Sequence, residues 1–255
     1  MNHMRTRISF LMLLCLCFAI KPGVLFAEEV ITEAQRIAAI IENVINAYGG
    51  REIVEGIQSM HVKGKVEAFM LRDYGTYEVY FKRGKRLRVE TKYEHSSEVR
   101  ILNGERGYRG TNVLPIEKVF GARYFAMVYQ YKHMDILHDL VKRTYQIQTM
   151  GKASVGGSNV EVFHLNDNNG AIMDIYIDEQ NYYILKVIGY FKERDKQIDL
   201  SAEFSDFKKV NGSIFPFRIT NYAGGLKIAQ TVIDNYLLNP DIADSLFEPT
   251  FIRSL

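Results

Sequence analysis

The side chains that could do chemistry in this 255-residue sequence are few and poorly grouped. His133-Met134-Asp135-Ile136-Leu137-His138-Asp139 gathers two histidines and two aspartates, the residue types of a metal site or an acid–base pair. On a helix, positions i and i+5 do not share a face, so the two imidazoles diverge. Asp135 and His138 are three apart and can meet, but two ligands do not make a metal site. A solvated helix face is expected there. Asp167-Asn168-Asn169-Gly170 resembles the start of a calcium loop. With Gly170 in the invariant glycine position, Leu165 falls on the first ligand and Tyr176 on the bidentate one, so the stretch is read as a turn. Gly104, Gly107 and Gly110 are evenly spaced, but a phosphate loop needs a helix to follow at once, and they are read as hairpin glycines. Asp174 and Asp178 share a strand face and are expected to face water. No serine–histidine–acid order stands out. The basic run Lys82-Arg83-Gly84-Lys85-Arg86-Leu87-Arg88 straddles a turn. It is read as a solvated hairpin tip, with contact to an anionic membrane or acidic partner as the second reading.

The N-terminus further thins this inventory. Met1 to Arg7 carries two arginines and no acid, and Ile8 to Ile20 is almost entirely apolar. Lys21-Pro22-Gly23 breaks the run, and Val24-Leu25-Phe26-Ala27 ends on a small residue. This is the pattern of a secretory signal peptide over residues 1–27, cleaved after Ala27. The apolar run is shorter than the roughly 17 residues a spanning helix needs. Cys15 and Cys17 leave with it, so the mature chain has no disulfide, thiolate metal site or cysteine nucleophile. Leu14 and Leu16 precede them, which argues against lipidation. Losing Arg5, Arg7 and Lys21 leaves 29 basic residues against 30 acidic, a net of −1. A basic nucleic-acid surface loses its support. No cofactor, metal or nucleic-acid partner is expected.

The elements that would position these groups follow from periodicity. Thr32-Glu33-Ala34-Gln35 is a capping box. Ile37, Ile40, Ile41, Val44, Ile45 and Tyr48 then fall on one helical face, and Gly49-Gly50 ends the helix. A helical turn is expected near 53–57. From Met60 the period becomes two, and strands follow through Tyr77-Val79-Phe81, Leu87-Val89-Thr91 and Val99-Ile101, with Asn103-Gly104 as a type I′ hairpin signal. Residues 115–144 interrupt the strands. Pro115 suits a first helical position. Phe120, Tyr124, Met127, Val128 and Tyr131 form one stripe, and Ile136, Leu137, Leu140 and Val141 a second, predicting one or two inserted helices. Strands are expected near 145–150, 159–166, 171–178, 182–191, 198–207, 213–222 and 226–237, separated by glycine- and asparagine-rich turns. Some 11–12 antiparallel strands in one mainly β (α+β) domain, residues 28–255, suit a large curved sheet. Apolar supply without catalytic groups is the informative feature. Either these residues fill a core, or they wall a half-barrel cavity for an apolar ligand. The candidate wall is Ile41, Val44, Ile45, Val79, Phe81, Leu87, Val89, Phe120, Phe125, Met127 and Val128.

Three stretches resemble one family. They are Ala47-Tyr48-Gly49-Gly50-Arg51-Glu52-Ile53 with Ile57-Gln58-Ser59-Met60, then Asp206-Phe207-Lys208-Lys209-Val210-Asn211-Gly212-Ser213-Ile214-Phe215-Pro216-Phe217, and Asn239-Pro240-Asp241-Ile242-Ala243-Asp244-Ser245-Leu246-Phe247-Glu248-Pro249. Tyr176-Ile177-Asp178 through Leu185-Lys186 fits as well. Their order is similar to that in the LolA-like periplasmic lipoprotein-sorting and carrier proteins. Pro216 in a strand suits an edge or bulge. The resemblance implies an unclosed antiparallel β-barrel with a helical lid over an apolar cavity, in the periplasm. It implies a non-enzymatic, monomeric carrier of an acylated lipoprotein or lipid between inner and outer membrane, meeting export machinery or an outer-membrane acceptor. A sensor or adaptor domain contacting an envelope membrane protein is the second expectation, and a periplasmic hydrolase the third. No individual cavity residue of the family maps onto this sequence, and the insert at 115–144 is longer than in its simplest members.

Overall fold

The amphipathic stripe of Ile37 to Tyr48 folds as helix α1, Glu33–Ala47, beginning one residue after Thr32. The structure, a computed structural model, describes residues 32–167, 172–193 and 196–249. The expected leader and the Asn168–Gly170 turn lie outside these. Gly49 and Gly50 sit at φ 107° and 91°, and α2 follows at Arg51–Gly56. The strands are β1 Ser59–Ala68, β2 Asp73–Lys82, β3 Arg86–Tyr93, β4 Ser97–Asn103, β5 Arg106–Thr111 and β6 Glu117–Val119. Helix α3, Gly121–Lys142, precedes β7 Tyr145–Val155, β8 Ser158–Asp167, β9 Ile172–Asp178, β10 Ile184–Glu193, β11 Lys196–Val210, β12 Ser213–Ala223 and β13 Leu226–Leu238.

All thirteen strands form one antiparallel sheet in the order β6-β5-β4-β3-β2-β1-β13-β12-β11-β10-β9-β8-β7. The count exceeds the expected 11–12 because the insert holds a short edge strand, β6. Both apolar stripes of that insert lie on a single helix, α3. Pro115 precedes β6 rather than opening the helix, which starts at Gly121 with no side-chain cap at Phe120. Sequential connections account for every pairing except β1 with β13, which joins the first and last strands, since neighbours joined by short turns pair antiparallel. Asn211-Gly212 has the two positive φ values of a type I′ turn, 45° and 93°. At the β4–β5 hairpin the central pair is Gly104-Glu105, and only Gly104 is at positive φ, the sign pattern of type II′ rather than the expected I′.

The edge strands β6 and β7 do not pair with each other, so the sheet is an unclosed barrel. Helix α3 links those two edges and packs on β3, β4 and β5 on one side and on β10 and β11 on the other. The sheet therefore wraps around the helix. The approach is set by two strand glycines. A Cβ on Gly107 would come within 2.9 Å of the Tyr124 ring and 3.2 Å of Met127 Sδ. One on Gly189 would overlap the Tyr129 ring. Gly107, expected at a hairpin, instead lies within β5 beneath α3.

Two apolar cores flank α3. One joins α1 and α3 to β8, β9 and β10 around Ile45, Phe163 and Ile175. The other joins α3 to β1, β2, β3 and β13 around Phe81, Leu87 and Met127. A third packs the C-terminal segment, with Ile242 and the fully buried Phe247, on Val99 and Ile101. The run Lys82–Arg88 is not a solvated tip. Arg83 donates to the carbonyls of Val54 and Glu55 and to Asp135, tying β2 to α2 and α3. Lys82 and Arg86 bind Asp244, and Arg88 donates to the Leu246 carbonyl.

Candidate ligand-binding site

The site lies between α3 and the concave face of the sheet. Met60 and Val62 of β1 and Tyr77 and Val79 of β2 form one wall. Phe204 and Phe207 of β11, Ile214 to Pro216 and Ile219 of β12, and Ile233 and Tyr236 of β13 form the floor and far wall. His133, Met134, Ile136 and Leu137 of α3 roof it, and Tyr48 closes one end. Together they surround about 750 Å³ of empty space, part of it open to solvent. Tyrosine tips among these side chains are engaged. Tyr48 accepts from the Ile184 N–H at 3.0 Å, and Tyr236 donates to the Pro216 carbonyl at 2.7 Å. Burial raises both phenols above their usual range. What faces the cavity is therefore largely hydrocarbon, the surface an apolar ligand needs.

Two of the three resemblance stretches meet at its end. Ser213 Oγ donates to the Tyr48 carbonyl at 2.9 Å, and Gly49 packs against the Gly212 carbonyl, where a Cβ would intrude to 2.5 Å. Pro216 sits before the β12–β13 ladder begins at Arg218, so its missing N–H costs that ladder nothing.

The candidate wall residues are distributed as follows. Val79 lines the cavity, and Phe81 borders a smaller cleft beside it while stacking on Tyr131 at 5.2 Å. Leu87, Val89 and Met127 are buried behind it, with Val128 partly buried against the same core. Ile41, Val44 and Ile45 lie in the core between α1 and the sheet. Phe125 is half-buried, stacked on Phe191 at 5.0 Å. Phe120 is 70% exposed at the mouth of α3, with the Lys118 ammonium 4.9 Å from its ring centroid. It leaves the wall because the helix starts after it. Alternation could not locate Phe204 and Phe207, three residues apart yet both in the cavity. Asp206 between them sits at φ 55° and breaks the period of two.

The polar groups singled out from sequence have fixed partners. Asp135 lies 3.2 Å from Arg83 Nε, accepts from Tyr131 at 3.1 Å, and is 3.8 Å from His138. Burial, reinforced by Asp139, pushes the Asp135 carboxyl up to about 6. Ligand atoms of Asp135, His138 and Asp139 do fall within 4.8 Å of one another. Asp139, however, binds Lys132 at 3.1 Å and the Tyr145 hydroxyl at 2.9 Å. Asp174 and Asp178, expected in water, are buried. Asp174 pairs with His164 at 2.6 Å and accepts from Tyr190, and Asp178 caps the Gln180 and Asn181 N–H groups. His133 differs from these: its Nδ1 is buried with no hydrogen-bond partner, between the ring edges of Tyr129 and Phe204. Burial holds its imidazole down at about 4, hence neutral at pH 7.

No family model matches the sequence, and no curated protein matches it. Among solved structures, a DUF1329 family protein from Desulfovibrio piger and a LolA superfamily protein from Nitrosomonas europaea are each 14% identical, with TM-scores of 0.53. In both cases 82% of this chain aligns with 96% of the other. A putative outer membrane lipoprotein-sorting protein domain from Vibrio parahaemolyticus aligns over 82% of this chain and 95% of its own at 10% identity and a TM-score of 0.49. The chain has a LolA-like fold. No helix among the described residues is long and apolar enough to cross a membrane.

Proposed function

We propose that this protein is a periplasmic, non-enzymatic binder and carrier of an acylated hydrophobic ligand, a lipid or the acyl chains of a lipoprotein. The observation that carries this is the apolar cavity under α3, partly open to solvent and walled by both halves of the sheet. The commitment of Asp135, Asp139, Asp174 and His164 to structural partners supports binding over hydrolysis, since an acid or base must be free to reach substrate. The sequence resemblance to lipoprotein carriers, alongside a fold shared with a LolA superfamily protein, supports an acylated ligand, and the leader supports the periplasm. Export machinery and an outer-membrane acceptor are the partners such a carrier would meet.

Ile219 is half-buried at the edge of the second core, where it also borders the cavity. Ile219→Glu places a carboxylate against the ligand's hydrocarbon. It is expected to weaken binding of a fluorescent fatty-acid probe at least about tenfold, from an uncompensated desolvation of a few kcal/mol, with the unfolding transition retained. Undiminished probe binding in a folded variant would place the ligand elsewhere.

A further inference from the structure

A second cavity adjoins the first under the N-terminal half of α3, and its chemistry is different. About 720 Å³ of empty space, part of it open to solvent, lies along its walls, and it shares Tyr77 and His133 with the apolar one. Ser201, Asn221, Thr231 and Gln130 contribute polar groups to its lining, and Arg100 is the one charged residue in it besides the neutral His133. Arg100 donates no hydrogen bond among the described residues. Its Nε lies 3.1 Å from Glu98, but that carboxylate also takes the Arg109 Nε at 2.7 Å. Two guanidiniums thus share one carboxylate, and the cluster keeps a net positive charge beside the cavity. An arginine with unused donors matches the oxygens of a carboxylate or phosphate. At the junction, Tyr77 accepts from Gln130 at 2.9 Å, and the His133 imidazole is without a hydrogen bond. A buried polar group left unpaired is costly unless a ligand completes it. An apolar lobe joined to a polar, positively charged one has the division of an amphiphile with an anionic head.

We propose that the polar lobe receives the anionic head, a carboxylate or phosphate, of the ligand whose chain lies in the apolar lobe, with Arg100 as charge partner and His133 as hydrogen-bond partner at the junction. This rests on the binding reading above and names its ligand class. The head anchors first-order specificity, while the hydrocarbon wall accepts chains of varied shape.

The test is competition against a fluorescent fatty-acid probe by palmitate, hexadecyl phosphate and hexadecanol, which share a chain and differ in head. On the mature protein, at least one anion is expected to compete about tenfold better than hexadecanol, the size of one charge-assisted hydrogen bond. Which anion does so identifies a carboxylate or a phosphate head. In Arg100→Gln the ratio of anion to alcohol affinity should fall to within about twofold of one, whereas Arg100→Lys should keep most of it. His133→Phe, which preserves ring packing, should weaken the anions as well. Equal binding of all three by the wild-type protein overturns this proposal and leaves the carrier reading standing. A preference that survives in Arg100→Gln also overturns it. Failure of every probe to bind overturns both.

Discussion

At the scale of single residues, helix α3 holds two titrating groups of opposite sense. Burial keeps the His133 imidazole at about 4, below its usual 6.5. Its contribution to stability is fully present above pH 6.5 and is lost as pH falls toward 4. Burial first, then Asp139, raises Asp135 to about 6, against the opposing pull of Arg83 and Tyr131. The native state favours its protonated form, so that contribution is present below pH 4 and is lost as pH rises through 6. Between pH 4 and 6.5 the two slopes oppose. Removing one exposes the other. Relative to wild type, His133→Phe is expected to be more stable at pH 4.5 than at pH 7 by about 2 kcal/mol, measured by chemical denaturation. A difference between variant and wild type that does not move with pH would mean that His133 is not desolvated. Sequence spacing separated His133 from His138 and left His138 within reach of Asp135, 3.8 Å away, but the solvated face expected there is wrong, since Asp135 and His133 Nδ1 are buried. It could not show that Asp135 is buried under Arg83, because that contact joins residues 52 positions apart.

At the scale of elements, the defining contact is α3 against the concave sheet. Gly189 of β10 lies under the Tyr129 ring, whose hydroxyl donates to the Val187 carbonyl at 2.9 Å. Gly189→Val would force the helix off that strand. An overpacking loss of about 2 kcal/mol is expected, read as a lowered denaturation midpoint. A wild-type midpoint would show that the helix does not rest there. The hairpins were legible because alternation and glycine turns are local signals. The stripe of α1 was legible for the same reason. What was not legible is where local periodicity fails. Three residues of β6 are too short to alternate, Asp206 turns the phase of β11, and a helical stripe does not say which end of a helix starts at Gly121. Hence Phe120 fell outside the wall, and although Phe204 stood out as a strand aromatic, no signal placed Phe207 beside it in the wall. The candidate residues of α1 have low exposure because they are core, a distinction that hydrophobicity alone does not make.

At the scale of the whole molecule, thirteen strands, with β1 paired to β13 mid-sheet, wrap one helix and stop short of closing. The third resemblance stretch, residues 239–249, holds the convex face of β3 and β4 through Phe247 and through the cations Lys82, Arg86 and Arg88. The inner face is left to α3 and the cavity. Apolar volume inside a sheet costs packing contacts unless something occupies it. On the proposed function, an acyl chain fills the space under α3. The most direct measurement is native mass spectrometry of the mature protein purified from the periplasm, followed by organic extraction and identification of what is released. A mass beginning at Glu28 that carries a non-covalent amphiphile, lost on extraction, is the expected result. A chain that is uniformly ligand-free, and that takes up no fatty acid when one is supplied, would contradict it.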